Sequence, residues 1–143
     1  KMLMRGVTDR LNDKASNGAI RSLKGRKCRF DLWEPDTFEM NKALPYQEAV
    51  LEYGATARLK RAYTYKALNR LIQASAADMT KQAMVNVYES GIVPLIQIHD
   101  ELAISVKDKA QADSVARIME DSIPLEVPNA CSVEVGKGWG TAA

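Results

Sequence analysis

A chain of 143 residues, 46% hydrophobic and 27% charged, is long enough for one compact domain with a real core and too short for two ordinary ones. That balance excludes a disordered chain; no apolar run approaches the length of a bilayer span, and nothing at the start reads as a signal peptide. The net charge of +2 hides a split, because residues 1–75 carry 15 Lys/Arg against 8 Asp/Glu while residues 76–143 carry 5 against 10.

A basic half joined to an acidic half suits a protein that grips a polyanion with one part and holds cations with the other; chance segregation of solvated faces gives the same split. The first residue is Lys1, so the sequence is expected to begin inside a longer chain. Cys28 and Cys131 lack metal-ligand spacing and are too far apart to define a disulfide framework, which leaves reduced thiols in a cytoplasmic protein as the expectation.

In chain order, the opening stretch places Leu3, Met4, Val7 and Leu11 at helical spacing, with Asn17-Gly18 as a stop. "AIRSLKGRKCRF" follows, a short hairpin around Lys24-Gly25 in which five of the nine residues from Arg21 to Arg29 are cationic. Such density belongs on a surface that faces solvent or phosphate. Residues 31–62, broken by Pro35 and Pro45, read as a connecting excursion with a short helix around Gln47 to Tyr53.

"TYKALNRLIQASAADMTKQAMVNVYESG" is the clearest element. Leu68, Leu71, Ile72, Ser75, Ala76, Met79, Ala83 and Val87 trace one helical stripe that Gly91 ends. Asn69 and Gln73, four apart, project from one flank. "VPLIQI" and "ELAISV" are then two β-type runs around His99-Asp100, with Leu102, Ile104 and Val106 on a packing face. Asp108 is placed to cap a helix through about Ser122, with Ala112, Val115, Ile118 and Met119 inward. "CSVEV" reads as a last strand, and "GKGWGTAA" as the C-terminus. The order predicts an α+β fold, a small antiparallel sheet containing the His-Asp-Glu hairpin, packed on one face by the long helix and further helices.

His99 is the single histidine, and Asp100 and Glu101 follow it directly. Two adjacent carboxylates at a rigid turn suit a hard divalent cation such as Mg²⁺, which takes oxygen ligands and keeps several waters; an ordinary polar turn has the same sequence. A metal-dependent phosphohydrolase needs further histidine ligands, which this chain lacks. Asn69 and Gln73 are either solvated amides or donors to the acceptors that every base pair shows in the minor groove.

Taken together, "LNRLIQASAADMTKQAM", "PLIQIHDELAISV" and "VEVGKGWG" closely resemble the C-terminal end of family-A DNA polymerases, the class of bacterial DNA polymerase I and many bacteriophage replicases. "GAIRSLKGRKCRF" resembles the basic hairpin that follows the fingers in that family, and "YKALNRLIQ" is closer to the phage enzymes. The resemblance implies that Asp100 binds both catalytic Mg²⁺ ions and that Glu101 supports the metal site and primer end. It implies a primer-strand contact for His99 and minor-groove and backbone contacts to primer-template DNA for Asn69 and Gln73. Lys66, beside Tyr65 where bacterial members carry an Arg, would reach a phosphate, and Arg26 and Lys27 belong to the basic gripping surface.

The implied chemistry is two-metal nucleotidyl transfer from a dNTP. The second palm aspartate and the nucleotide-binding fingers helix of the family have no candidate here, and the 31–62 excursion exceeds its bacterial counterpart. The expected organisation is a trailing fingers helix and basic hairpin over 1–30, the excursion over 31–62, and a C-terminal palm subdomain over 63–143. Such a segment needs the upstream polymerase part (fingers, thumb and rest of the palm) for activity, in the cytoplasm of a bacterium or phage-infected host. A non-catalytic nucleic-acid-binding module reusing the fold is the alternative. A third reading has the isolated fragment self-associating through apolar surface that the rest of the palm would cover.

Overall fold

The computed structural model describes residues 6–9, 11 and 17–141, and within them the chain forms two compact units, residues 1–75 and 76–143. Residues 6–9 and Leu11 are helical, while Leu3 and Met4 of the proposed stripe lie outside the described residues. The first hairpin pairs β1 (Ala19–Arg21) with β2 (Lys27–Arg29) in antiparallel register, Ile20 opposite Cys28 and Arg21 opposite Lys27. Gly25 at its turn has a φ of 80°, a conformation open to glycine. Strand alternation sends Ile20 and Cys28 toward the core of this unit, where they pack on Leu11, Phe30 and Ala67.

Residues 31–62 differ from the excursion expected. They contain β3 (Leu32–Pro35), β4 (Leu44–Pro45), helix α1 (Tyr46–Tyr53) and β5 (Leu59–Arg61), with β3 in the centre of an antiparallel sheet ordered β4-β3-β5. The two prolines that obscured it stand at strand ends: Pro35 is the last residue of β3 and Pro45 the last of edge strand β4. Proline is tolerated in such places because few ladder hydrogen bonds are lost. Trp33 anchors the sheet, edge-on to Tyr46 at 5.1 Å and beneath the Arg61 guanidinium at 4.5 Å. Helix α1 matches the short helix predicted from about Gln47.

Helix α2 runs from Ala67 to Glu89. Its C-terminus closes as predicted at Gly91, with a φ of 86°. The Ile92 amide donates to the Val87 carbonyl at 3.2 Å and the Gly91 amide to Tyr88 at 3.0 Å, the paired bonds of a Schellman motif. The single buried stripe is corrected. Ile72 is 57% exposed and Ala76 is exposed, whereas Ala67, Asp78, Thr80, Ala83 and Val87 are buried. Periodicity marks which positions share a face, but it does not fix what covers that face. Thr80 satisfies its hydroxyl on the Ala76 carbonyl one turn back, at 3.4 Å.

In the second unit, β6 (Pro94–Ile98) pairs antiparallel with β7 (Glu101–Ile104), with a register shift between Pro94 and Ile96. Helix α3 (Lys109–Glu120) is capped by Asp108, whose Oδ1 accepts from the Gln111 amide at 2.8 Å. Gln111 returns the contact by accepting from the Lys107 amide at 2.8 Å, and Ala112 and Val115 are buried as expected. The last strand is corrected, because residues 131–135 form no ladder. Instead the Cys131 amide donates to the Glu120 carboxylate at 2.8 Å. The fold is α+β with a long helix and small antiparallel sheets, as expected; among the described residues the strands make three such sheets, of two, three and two strands, rather than one.

Candidate functional site

The ladder pairs Ile98 with Glu101, so the two residues between them, His99 and Asp100, make the whole turn. A two-residue hairpin needs left-handed backbone, and His99 takes it with a φ of 52°. Gln97 braces the turn from the strand behind, its Nε2 donating to the His99 carbonyl at 2.9 Å. His99, Asp100 and Glu101 are all exposed. Strand β6 is also more open than an apolar run suggests, with Leu95 64%, Ile96 42% and Ile98 37% exposed.

Asp100 and Glu101 supply the oxygen donors a Mg²⁺ ion prefers, held by a turn with little freedom. Among the described residues no group of three or more His, Cys, Asp or Glu side chains gathers in metal-binding geometry. Asp100 and Glu101 are the residues of this turn that could hold such an ion, with waters or substrate phosphates completing its shell.

The first unit holds the amide and cationic candidates. Lys66, Asn69 and Gln73 are all exposed, and steps of three and four place them on one flank of the start of α2. The basic hairpin is tied to the same stretch of the helix. Arg26 donates from Nη2 to the Ala74 carbonyl at 2.8 Å, and the Leu23 amide donates to Ser75 Oγ at 3.3 Å. One of the two cations singled out in the hairpin thus has a docking contact of its own. Lys27 is exposed and faces Arg21 across the ladder, on the sheet face opposite Ile20 and Cys28. Two like charges opposed on a solvated face favour an anion between or above them.

Sequence reasoning passed over Arg61 and Arg70. Arg61 donates to the Phe30 carbonyl at 2.9 Å, and Arg70 lies 4.9 Å from the centre of the Phe30 ring with its Nη1 3.9 Å from Cys28 Sγ. Only the fold reveals these as packing cations, since no local pattern distinguishes them from solvated ones.

Residues 7–141 match the sequence model of DNA polymerase family A. The chain is 39% identical over 123 residues to a DNA-directed DNA polymerase of Pseudomonas phage M6, a match covering 86% of this chain and 15% of that protein. It is 39% identical over 84 residues to the thermostable DNA polymerase I of Thermus aquaticus, covering 53% of this chain and 10% of the relative. Among solved structures it resembles the POL domain of Pol1 from M. smegmatis in complex with DNA primer-template and dNTP. That likeness has a TM-score of 0.63 and 28% identity, over 95% of this chain and 22% of the other. The chain thus spans a small fraction of the length of the relatives it matches.

Proposed function

This chain belongs to DNA polymerase family A, and from that premise we propose that it is the C-terminal palm part of a template-dependent DNA polymerase. Its reaction is nucleotidyl transfer from a dNTP to a primer 3′ end. The observation that carries the reading is the two-residue turn at His99-Asp100, which closes β6–β7 and presents two adjacent carboxylates to solvent. Asp100 and Glu101 would hold Mg²⁺ there, and the ion would supply activation of the primer 3′-oxygen and charge neutralisation at the triphosphate leaving group.

The residues of the chain itself position. Asp100 and Glu101 hold the metal side of the site, and His99, on the same turn, contacts the primer strand near its terminus. Asn69 and Gln73 donate to minor-groove acceptors, which reports duplex geometry with little regard to sequence. Lys27 and Lys66, with Arg26 alongside, neutralise backbone phosphates. The upstream polymerase part supplies what two-metal transfer still requires, a second carboxylate and a nucleotide-binding surface, and the assembled enzyme works in the cytoplasm of a bacterium or an infected host. Apolar Leu95, Ile96 and Ile98, exposed on β6, support a need for more chain: left uncovered, they would drive self-association of the isolated segment.

The test replaces Asp100 with Ala in the complete polymerase. Primer extension is expected to vanish while binding to primer-template duplex stays largely intact. Normal extension by that variant would overturn the metal assignment, and robust synthesis by the 143-residue chain alone would overturn its reading as an incomplete part.

A further inference from the structure

The segment entering α2 reads Tyr63-Thr64-Tyr65-Lys66 and forms a single 3-10 turn, Thr64–Lys66, closed by the Lys66 amide donating to the Tyr63 carbonyl at 3.0 Å. Thr64 faces inward and is buried, whereas Tyr63 is 39% and Tyr65 65% exposed. The Lys66 ammonium lies 5.2 Å from the centre of the Tyr63 ring and 5.5 Å from that of Tyr65. Both distances are within cation–π range. Lys66 makes no ion pair among the described residues.

Tyr63 has a φ of 60° and a ψ of 16°. Left-handed backbone is strained for a bulky aromatic residue, and glycine or asparagine would take it at lower cost. Tyrosine at this position supplies an aromatic ring that neither glycine nor asparagine would. The ring faces the next cation, and that cation heads the exposed flank bearing Asn69 and Gln73.

We propose that Tyr63 and Tyr65 are positioning residues that clamp the Lys66 ammonium at the head of the Asn69–Gln73 flank, where it binds a backbone phosphate of the primer-template duplex. The proposal rests on the duplex-binding reading of that flank. A free lysine loses the freedom of four rotatable bonds when it seats on a phosphate. Held between two rings it has lost much of that freedom already, so less is forfeited on binding. The rings neutralise no charge, which leaves the cation able to take an anion.

The experiment titrates fluorescent primer-template duplex with the complete polymerase across a salt series. Lys66→Gln is expected to lower the slope of log affinity against log salt by about 0.9, the value for one phosphate contact. Tyr65→Leu should keep the slope and weaken binding about two- to fivefold, the span of an exposed cation–π contact. Tyr65→Phe and Tyr63→Phe, which retain the ring, should bind as the parent does. In a Lys66→Gln background Tyr65→Leu should add nothing.

An equal loss from Tyr65→Leu in both backgrounds would overturn the clamp, since the ring would then act without the lysine. An unchanged salt slope in Lys66→Gln would overturn the phosphate contact, and a raised KM for dNTP beside it would move that phosphate to the incoming nucleotide. If Asn69→Ala and Gln73→Ala weaken binding while Lys66→Gln does not, the clamp fails and the duplex reading stands. If none of the three matters, the duplex reading itself fails.

Discussion

Arg61 lies directly across the ladder from Trp33 and stacks its guanidinium 4.5 Å from the centre of that ring. The same side chain donates to the Phe30 carbonyl at 2.9 Å, so one cation joins the three-stranded sheet to the strand end that carries Phe30 into the core. Planarity matters here, because a guanidinium can stack and donate sideways at once while an ammonium cannot. Arg61→Lys should therefore destabilise the chain by roughly 1–2 kcal/mol despite keeping the charge. A urea midpoint unchanged by that substitution would show the stack to be incidental.

Gly18 stands under the same guanidinium. Its φ is 63°, and a Cβ built there would run into Arg61; its carbonyl also accepts from the Phe30 amide at 2.8 Å. Gly18→Ala should cost more than about 1 kcal/mol through backbone strain and collision together. Adding Arg61→Ala removes the collision and leaves the strain, so thermal denaturation of the double variant should show less than the summed loss of the two single ones.

The turn at His99 separates geometry from chemistry. With φ at 52°, the position tolerates Asn far better than a β-branched residue. His99→Asn should leave the urea midpoint nearly unchanged, whereas His99→Val should cost about 1–2 kcal/mol. If the imidazole serves the primer strand, both variants lose extension rate in the complete polymerase, the Asn variant without any loss of stability. Full activity in His99→Asn would limit the residue to shaping the turn.

Cys131 offers a check on the last segment. Partial burial pushes its thiol above the ordinary range, and the neighbouring Glu120 carboxylate pushes in the same direction because a thiolate beside it is repelled. Alkylation by iodoacetamide proceeds through the thiolate, so Cys131 should react more slowly than a free thiol at neutral pH and gain rate only at higher pH. Glu120→Gln should shift that profile toward lower pH by removing the smaller of the two causes. Labelling of Cys131 at the rate of a free thiol would contradict the packing.

The elements whose reasons are local were legible in the residues. Lys24-Gly25 marked a hairpin turn, Gly91 the stop of α2, Asp108 a cap and His99-Asp100 a two-residue connection, because each is decided by backbone conformations within a few positions. The family resemblance rested on the two hairpins and the long helix, together with "VEVGKGWG" near the end of the sequence. Residues 31–62 were illegible for the converse reason. Pro35 and Pro45 break a strand or merely end one according to where their neighbours lie, and pairing between β3 and β5 joins residues more than twenty apart in sequence.

By itself, then, the sequence determined the two hairpins, the stop of α2 at Gly91, the cap of α3 at Asp108 and the presence of His99, Asp100 and Glu101 on one tight turn. The tertiary structure alone decided that Ile72 is exposed, that "CSVEV" forms no ladder, and that Arg26 reaches the Ala74 carbonyl. It also decided that Lys66 sits against two tyrosine rings. Periodicity says which side chains share a face, but burial and pairing depend on what the rest of the fold brings to that face. That information is spread over contacts distant along the chain.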